Sequence, residues 1–214
     1  MYGLFFRKDG FPGADGSTIE PISGNNASTT AIYDANGDLL TEGNNGVIAV
    51  EITTSGVLGD DNTSLTYATK QPLTYIYNSA SLGDWYTNNQ TYINDVLWNE
   101  GNKKSAYDPC PKKWKMPADI FTTYGDFSDT TFPISGSSNT TYAGRTYQSI
   151  AWFPAAGYRN YVSGDLRYVG CYASYWSASV SGTDTKNLYF TMSGVYPRHL
   201  YYRACGSSVR CVQE

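Results

Sequence analysis

Long apolar runs are missing from this 214-residue chain, and none approaches the roughly 20 residues that a membrane-spanning helix needs. The sequence therefore predicts a soluble domain with no direct membrane insertion. Positive charge is also sparse. Fifteen Lys and Arg against 19 Asp and Glu give a formal net charge of −4, and the basic residues are scattered, so no footprint for nucleic acid or an anionic membrane exists. Histidine occurs once, at His199, and any Ser-His-Asp or Cys-His catalytic set would have to be built around it. There is no Cys-x-x-Cys spacing to suggest zinc. Glu-Pro-Asn and Gln-Pro-Asp, the strings of calcium-dependent sugar recognition, are absent too. Asp84, Asp95 and Asp126 could serve a glycosidase, but no spacing marks a pair. These absences predict a protein that is not an enzyme and that carries no cofactor and no metal. Met1–Arg7 is too short, and lacks the small-residue cleavage site, for a complete signal peptide, so an export signal is expected upstream.

What the chain has in quantity is tyrosine and glycine, 20 and 21 residues respectively, the composition of a turn-rich β protein with a hydrogen-bonding surface. Strands are expected over residues 2–7, 47–52, 73–77, 146–153, 175–179, 187–191 and 208–212. Residues 32–34 and 38–40 flank Asn36-Gly37, a dipeptide that supplies the positive φ of a tight hairpin turn. Asp34, Asn36 and Asp38 imitate half of a calcium loop, but Leu39 stands where that loop needs Gly, so the hairpin reading prevails. Two short helices are expected. Ile93, Val96 and Leu97 fall at helical spacing within 92–98, and Ile120, Phe121, Tyr124 and Phe127 form one face of 117–127, with Pro117 in a first turn. Trp85, Trp114, Trp152 and Trp176 are assigned to the core, each beside small or turn residues that permit close packing. Arg159 and Arg210 are expected as half-buried structural donors.

A bond between Cys110 and Cys211 would tie the last strand to the middle of the chain and point to an oxidising compartment. Two buried free thiols are the alternative. The pairing of Cys171 and Cys205 stays open, since sequence does not fix connectivity.

Several strings occur together in a telling order. They are Arg7-Lys-Asp-Gly-Phe-Pro-Gly13, Tyr75-Ile-Tyr-Asn78 with Asp84-Trp-Tyr86, Tyr107-Asp-Pro-Cys-Pro111 leading to Trp114-Lys-Met-Pro117, Trp152-Phe-Pro-Ala-Ala-Gly-Tyr-Arg159, Tyr175-Trp-Ser-Ala-Ser179 and Ser208-Val-Arg-Cys-Val212. Together they resemble the Fibrobacter succinogenes major paralogous domain family. That resemblance implies an α+β, C-type-lectin-like fold of mostly twisted antiparallel strands with two short helices and long loops. It also implies a place on exported proteins of Gram-negative bacteria. A single domain over 1–214 is expected, with 14–70 a candidate insertion.

The final third is similar to target proteins of diversity-generating retroelements, in which Asn-type codons are rewritten through adenine. Such codons cannot become Lys, Glu, Gln, Met or Trp. None of the five occurs from Ser193 to Arg210, where the chain-wide frequency predicts about two. Lys186 and Met192 do not fit the pattern. The resemblance makes 165–208 a candidate variable, ligand-binding region, with Tyr172, Tyr189, Tyr196, Arg198, His199, Leu200, Tyr201 and Tyr202 as contacts. Tyr and Arg suit a paratope, because they bring large contact area and planar donors at low entropic cost. As structure alone, the same run is an aromatic strand that packs. Strand alternation separates Tyr196, Arg198, Leu200 and Tyr202 from His199 and Tyr201, and a core cannot absorb both faces. The expected partner is a protein or glycan on a host or microbial surface. The expected location is extracellular, at the surface of a bacterium or of its phage. A lectin or pilus-tip adhesin without diversification is the nearest alternative. A hydrolase or a formylglycine-generating type of enzyme is a more distant one.

Overall fold

The computed structural model describes residues 2–4, 10–11, 19–20, 33–39, 48–100, 103–119, 125–138 and 142–214. They are mostly β-sheet with very little helix. In chain order the strands are β1 (Tyr2–Leu4), β2 (Gly10–Phe11), β3 (Ile19–Glu20), β4 (Ile48–Glu51), β5 (Thr74–Tyr77), β6 (Asn99–Glu100), β7 (Lys103–Lys104), β8 (Trp114–Lys115) and β9 (Ile134–Ser135). There follow β10 (Gly144–Tyr147), β11 (Ala151–Pro154), β12 (Tyr158–Arg159), β13 (Leu166–Arg167), β14 (Tyr172–Ser181), β15 (Asp184–Thr191), β16 (Val195–Tyr201), β17 (Gly206–Ser208) and β18 (Val212–Gln213). The main sheet runs β16-β15-β14-β17-β12-β13-β3, with β1 against β17 and β2. The pairing of β1 with β17 sets the N-terminal strand beside the C-terminal segment.

Aromatic packing fixes the inner face of this sheet. Phe132 meets Phe127, Phe153 and Phe190 edge to face, with centroids 5.0–5.2 Å apart, beside Tyr175 and Leu188. A second cluster joins Ile52, Val57 and Ala68 to Tyr75, Trp85 and Leu166, so the described part of 14–70 nearest β5 is built into the core. A third gathers Trp98, Met116 and Trp176 around the bond between Cys110 and Cys211, which closes 101 residues of chain. Cys171 and Cys205 are buried and are not joined in a disulfide. Asp108 braces the turn before β8. Its carboxylate accepts from the N–H groups of Cys110 (2.8 Å) and Met116 (3.0 Å) and from Lys104 Nζ (2.7 Å).

Several strand expectations hold, among them the turn at Gly37 (φ +88°), which carries the bridge from Tyr33 to Leu39. Asp34 accepts there from the N–H groups of Asn36 and Asp38, which holds its carboxyl below the usual range, so the acidic triplet serves the turn. The expected strand over 146–153 is instead the hairpin of β10 and β11, reversed at Gln148 and Ser149, both at positive φ. Residues 5–9, 21–32 and 40–47 lie outside the described residues, so the expected strand ends and loop there go undescribed.

One helix expectation needs correction. Over 92–98 only a 3₁₀ turn at Gln90–Tyr92 forms, because the Asn94 side chain accepts from Val96 N–H and offers a competing local turn. The expected helix over 117–127 is not helical at its described ends. Pro117 and Ala118 turn their carbonyls to Ala178 N–H and Ser179 Oγ, and Gly125 adopts φ +89°; residues 120–124 lie outside the described set. Among the described residues an α-helix, α1 (Leu65–Lys70), forms in the candidate insertion, where six residues with buried Ala68 give too short a periodicity to read. It lies between β4 and β5, which pair in parallel. Trp114 and Trp152 are exposed, not core, whereas Trp98 is fully buried. Arg159 is fully buried rather than half-buried, and Arg210 donates to the Trp152 carbonyl at 2.8 Å.

Candidate functional site

The meander β14-β15-β16 forms one end of the main sheet. On its inner face Ala173, Tyr175, Leu188 and Phe190 join the core. Strand alternation therefore sends Tyr172, Ser174, Asn187 and Tyr189 to the other face. Beneath that face lies a buried polar bed, in which Asn187 Nδ2 donates to Ser174 Oγ at 2.6 Å and Ser207 Oγ to Ser174 Oγ at 2.8 Å.

A register shift then decides which side chains meet. Asn187 opposes His199 while Tyr189 opposes Tyr196, so two steps on β15 face three on β16. The extra residue lies beside Pro197, which has no N–H to lose from a ladder. Simple alternation would have set Tyr196 and His199 on opposite faces. The shift instead brings both to Tyr189, with ring centroids 5.7 and 4.8 Å away.

From there the rings close on themselves. Tyr158 meets Tyr168 (5.6 Å), Tyr168 stacks on Tyr172 (4.6 Å), and Tyr172 meets Tyr189 (5.8 Å). His199 meets Tyr201 (5.5 Å), and Tyr201 returns edge-on to Tyr158 (5.3 Å). Tyr168 holds its place at φ +60°, strained for a bulky side chain, while its carbonyl accepts from Cys171 and Tyr172 N–H. The circle is graded in depth. Tyr158 is buried, Tyr168, Tyr172, Tyr189, His199 and Tyr201 are half-buried, and Tyr196 is 51% exposed.

The electrostatics follow that gradient. Burial pushes the Tyr158 hydroxyl up to about 12, and hydrogen bonding to Tyr201 partly offsets it. Tyr189 and Tyr201 lie well above the ordinary tyrosine range, through burial first and then through their tyrosine neighbours and, for Tyr201, the Cys205 thiol. Burial lowers the pKa of His199, whose Nδ1 is enclosed without a hydrogen-bond partner. The face is thus neutral, aromatic and rich in hydroxyls. Cys205 is fully buried and its thiol pKa is raised, which starves it of the thiolate that nucleophilic chemistry needs.

Of the residues expected as contacts, Tyr172, Tyr189, Tyr196, His199 and Tyr201 come together in this circle. Arg198 and Leu200 are exposed on β16 and line a shallow depression of about 530 Å³ with Val195, Tyr196, Pro197 and His199. Arg198 reaches Asp119 at 3.9 Å. Tyr202 does not join them; its ring packs on Tyr161 at 4.2 Å, above Gly83. Sequence reading missed Tyr158 and Tyr168. Tyr158 sits inside the Trp152–Arg159 string and could have been suspected from it, whereas nothing in sequence brings Tyr168 to this face. Among the described residues no group of three or more His, Cys, Asp or Glu could hold a metal ion.

Comparison of the chain with protein-family models, with curated proteins and with solved structures found no match.

Proposed function

We propose that this chain is a non-catalytic ligand-binding or adhesion domain of C-type-lectin-like fold, displayed on an exported bacterial or phage protein. Its tyrosine-rich face grips a partner on a host or microbial surface, and a retroelement diversifies the exposed positions. One observation carries the reading: six aromatic side chains from β12, the 168 turn, β14, β15 and β16 make a continuous, largely half-buried patch bordered by exposed Tyr196, on an edge strand that also exposes Arg198 and Leu200. Rings anchored at one edge and open at the other lose little entropy on binding, which is what an aromatic hot spot requires.

The test follows the depth gradient. Replacing Tyr196, Arg198 and Leu200 together with Ala should abolish capture of surface proteins from intact host or microbial cells and lower the thermal midpoint by less than about 3 °C, since exposed substitutions cost little. Unchanged capture would remove the patch from the binding function. Sequencing the locus across strains gives a second readout, with substitutions expected at Tyr189, Tyr196, Arg198 and Leu200 and none at Arg203 or Gly206.

A further inference from the structure

A second aromatic surface lies on the small sheet β9-β10-β11, away from the tyrosine circle. Thr146 and Trp152 are opposite one another on β10 and β11, and Gly144 pairs with Ser135 on the other side. Their partners in alternation, Arg145 and Phe153, turn inward and are buried, so Ser135, Gly144, Thr146 and Trp152 look outward. The indole of Trp152 does not stand up from the sheet. It lies across Gly144, where a Cβ would come within 2.6 Å of the indole Nε1 and 2.4 Å of the Phe153 carbonyl. Glycine is thus the seat that lets the ring lie flat. Trp152 remains 42% exposed and Tyr142 78%, and with Ser135, Gly136 and Thr146 they line a shallow depression of about 350 Å³.

The chemistry of this lining selects a ligand. None of its five residues carries a charge, so a charged ligand would be desolvated there without a counter-charge, whereas a neutral one meets a matching surface. Its apolar part is a flat indole, and its polar part is a rim of Ser, Thr and Tyr hydroxyls, which rotate to donate or accept, with the indole N–H, which only donates. A molecule with one flat C–H face and a hydroxylated edge satisfies both. We infer that this surface binds a neutral pyranose, with the C–H face of the sugar stacked on Trp152 and its hydroxyls bonded to Ser135, Thr146 and Tyr142. A site so open takes a residue within a chain as readily as a terminal one, so the ligand class is a neutral oligosaccharide. This surface is separate from the tyrosine circle, and either can fail alone.

The experiment is a screen of the intact chain on an array of neutral hexose and N-acetylhexosamine oligosaccharides. The strongest binder is then titrated against four forms: wild type, Trp152→Ala, Thr146→Lys, and the Tyr196/Arg198/Leu200 triple Ala variant. Binding should weaken at least tenfold in both site variants and stay within twofold of wild type in the triple variant. Thr146→Lys keeps the indole seat and tests the site even if Trp152→Ala unfolds. In ¹⁵N spectra one indole N–H signal, absent from Trp152→Ala or from Trp152→Phe, should move on titration. No array signal overturns the proposal. So does binding lost only in the triple variant, which would place the sugar on the tyrosine face. Concentration-dependent dimerisation abolished by Thr146→Lys would overturn it as well, by assigning this surface to a second copy of the chain.

Discussion

Arg203 belongs by position to the stretch expected to vary, yet its surroundings predict that it cannot. Its side chain is fully buried. Nε donates to the Thr183 carbonyl (2.9 Å), Nη2 to the Gly182 carbonyl (3.1 Å) and to Asp95 Oδ1 (2.5 Å), and Nη1 to the Asn94 carbonyl (3.3 Å). Nη1 also stands 4.0 Å from Asp84 Oδ2, the carboxylate of a residue only 2% exposed. In Arg203→Met three carbonyls lose a donor and Asp84 loses its cation. Removing one member of a buried pair costs about 3–5 kcal/mol, a large part of the stability of a typical domain. Asp95 is 52% exposed, so its share is screened and small, within about 1 kcal/mol. Denaturant unfolding with the disulfide intact measures the total.

The pH dependence of that loss separates charge from packing. Asp84 is already pushed up to about 6, by burial first, against the pull of Tyr86 N–H and Arg203. Without Arg203 its pKa climbs further. The folded variant then binds a proton that wild type has released, and its deficit shrinks as pH falls toward 5. The loss should therefore be larger at pH 8 than at pH 5. In Arg203→Lys a cation stays near Asp84, which should weaken that pH dependence, but one ammonium cannot serve three carbonyls and a carboxylate together, so stability still falls. A loss below about 1 kcal/mol, or one identical at both pH values, would refute this account of Arg203.

The other expectations are quickly stated. Since the folded pKa of Asp84 lies above its unfolded value, its stabilising contribution is complete below about pH 4 and is lost as pH rises through 6. Unfolding midpoints of wild type should accordingly decline relative to Asp84→Asn across that window, and parallel profiles would contradict the burial of this carboxyl. His199 shifts the opposite way, so its contribution is present above pH 6.5 and is lost on acidification; its ring protons should titrate below 6.5 in NMR spectra. Breaking the 110–211 bond by a double Cys→Ala substitution frees a 101-residue loop, for which the chain-entropy model gives a loss approaching about 5 kcal/mol in chemical unfolding. At Gly83 (φ +56°) an added Cβ would lie 2.3 Å from Tyr202 Cδ1, so Gly83→Ala should cost about 1–3 kcal/mol and displace Tyr202 from Tyr161, visible as altered near-ultraviolet circular dichroism.

Local signals in the sequence were legible where one residue type forces one geometry. Asn36-Gly37 specified its turn, and the β-branched and aromatic runs specified β4, β5, β14 and β15. Helical spacing misled at 92–98 and at the described ends of 117–127, because Asx hydrogen bonding and a neighbouring strand claimed the backbone groups that a helix would have used there. Trp152 misled for another reason. Its neighbours Phe153 and Ala155 are buried, and only the β10–β11 pairing shows that position 152 faces outward. For the tyrosine face, composition named the residues but not their grouping. Tyr201 and Tyr202 are adjacent in sequence and part in space, while Tyr158 and Tyr201 meet across more than 40 residues.

The register shift in β16 ties these points to the proposed function. On an unbroken strand Tyr196 would project from one face and His199 from the other, and neither face would hold more than part of a patch. One extra residue beside Pro197 re-aims the distal half of the strand, so Tyr189 touches both rings at once. Deleting Pro197 leaves two steps on each strand, so pairing becomes regular while Tyr196 and His199, then two residues apart, still share a face beside Tyr189. Such a chain would keep every ring and keep their contiguity without the extra residue. If the tyrosine face binds as a unit, capture by this deletion stays close to wild type, whereas the triple Ala variant loses it. Capture lost in the deletion while the fold persists by circular dichroism would mean that Pro197 or the irregular backbone beside it, and not the patch of rings, makes the contact.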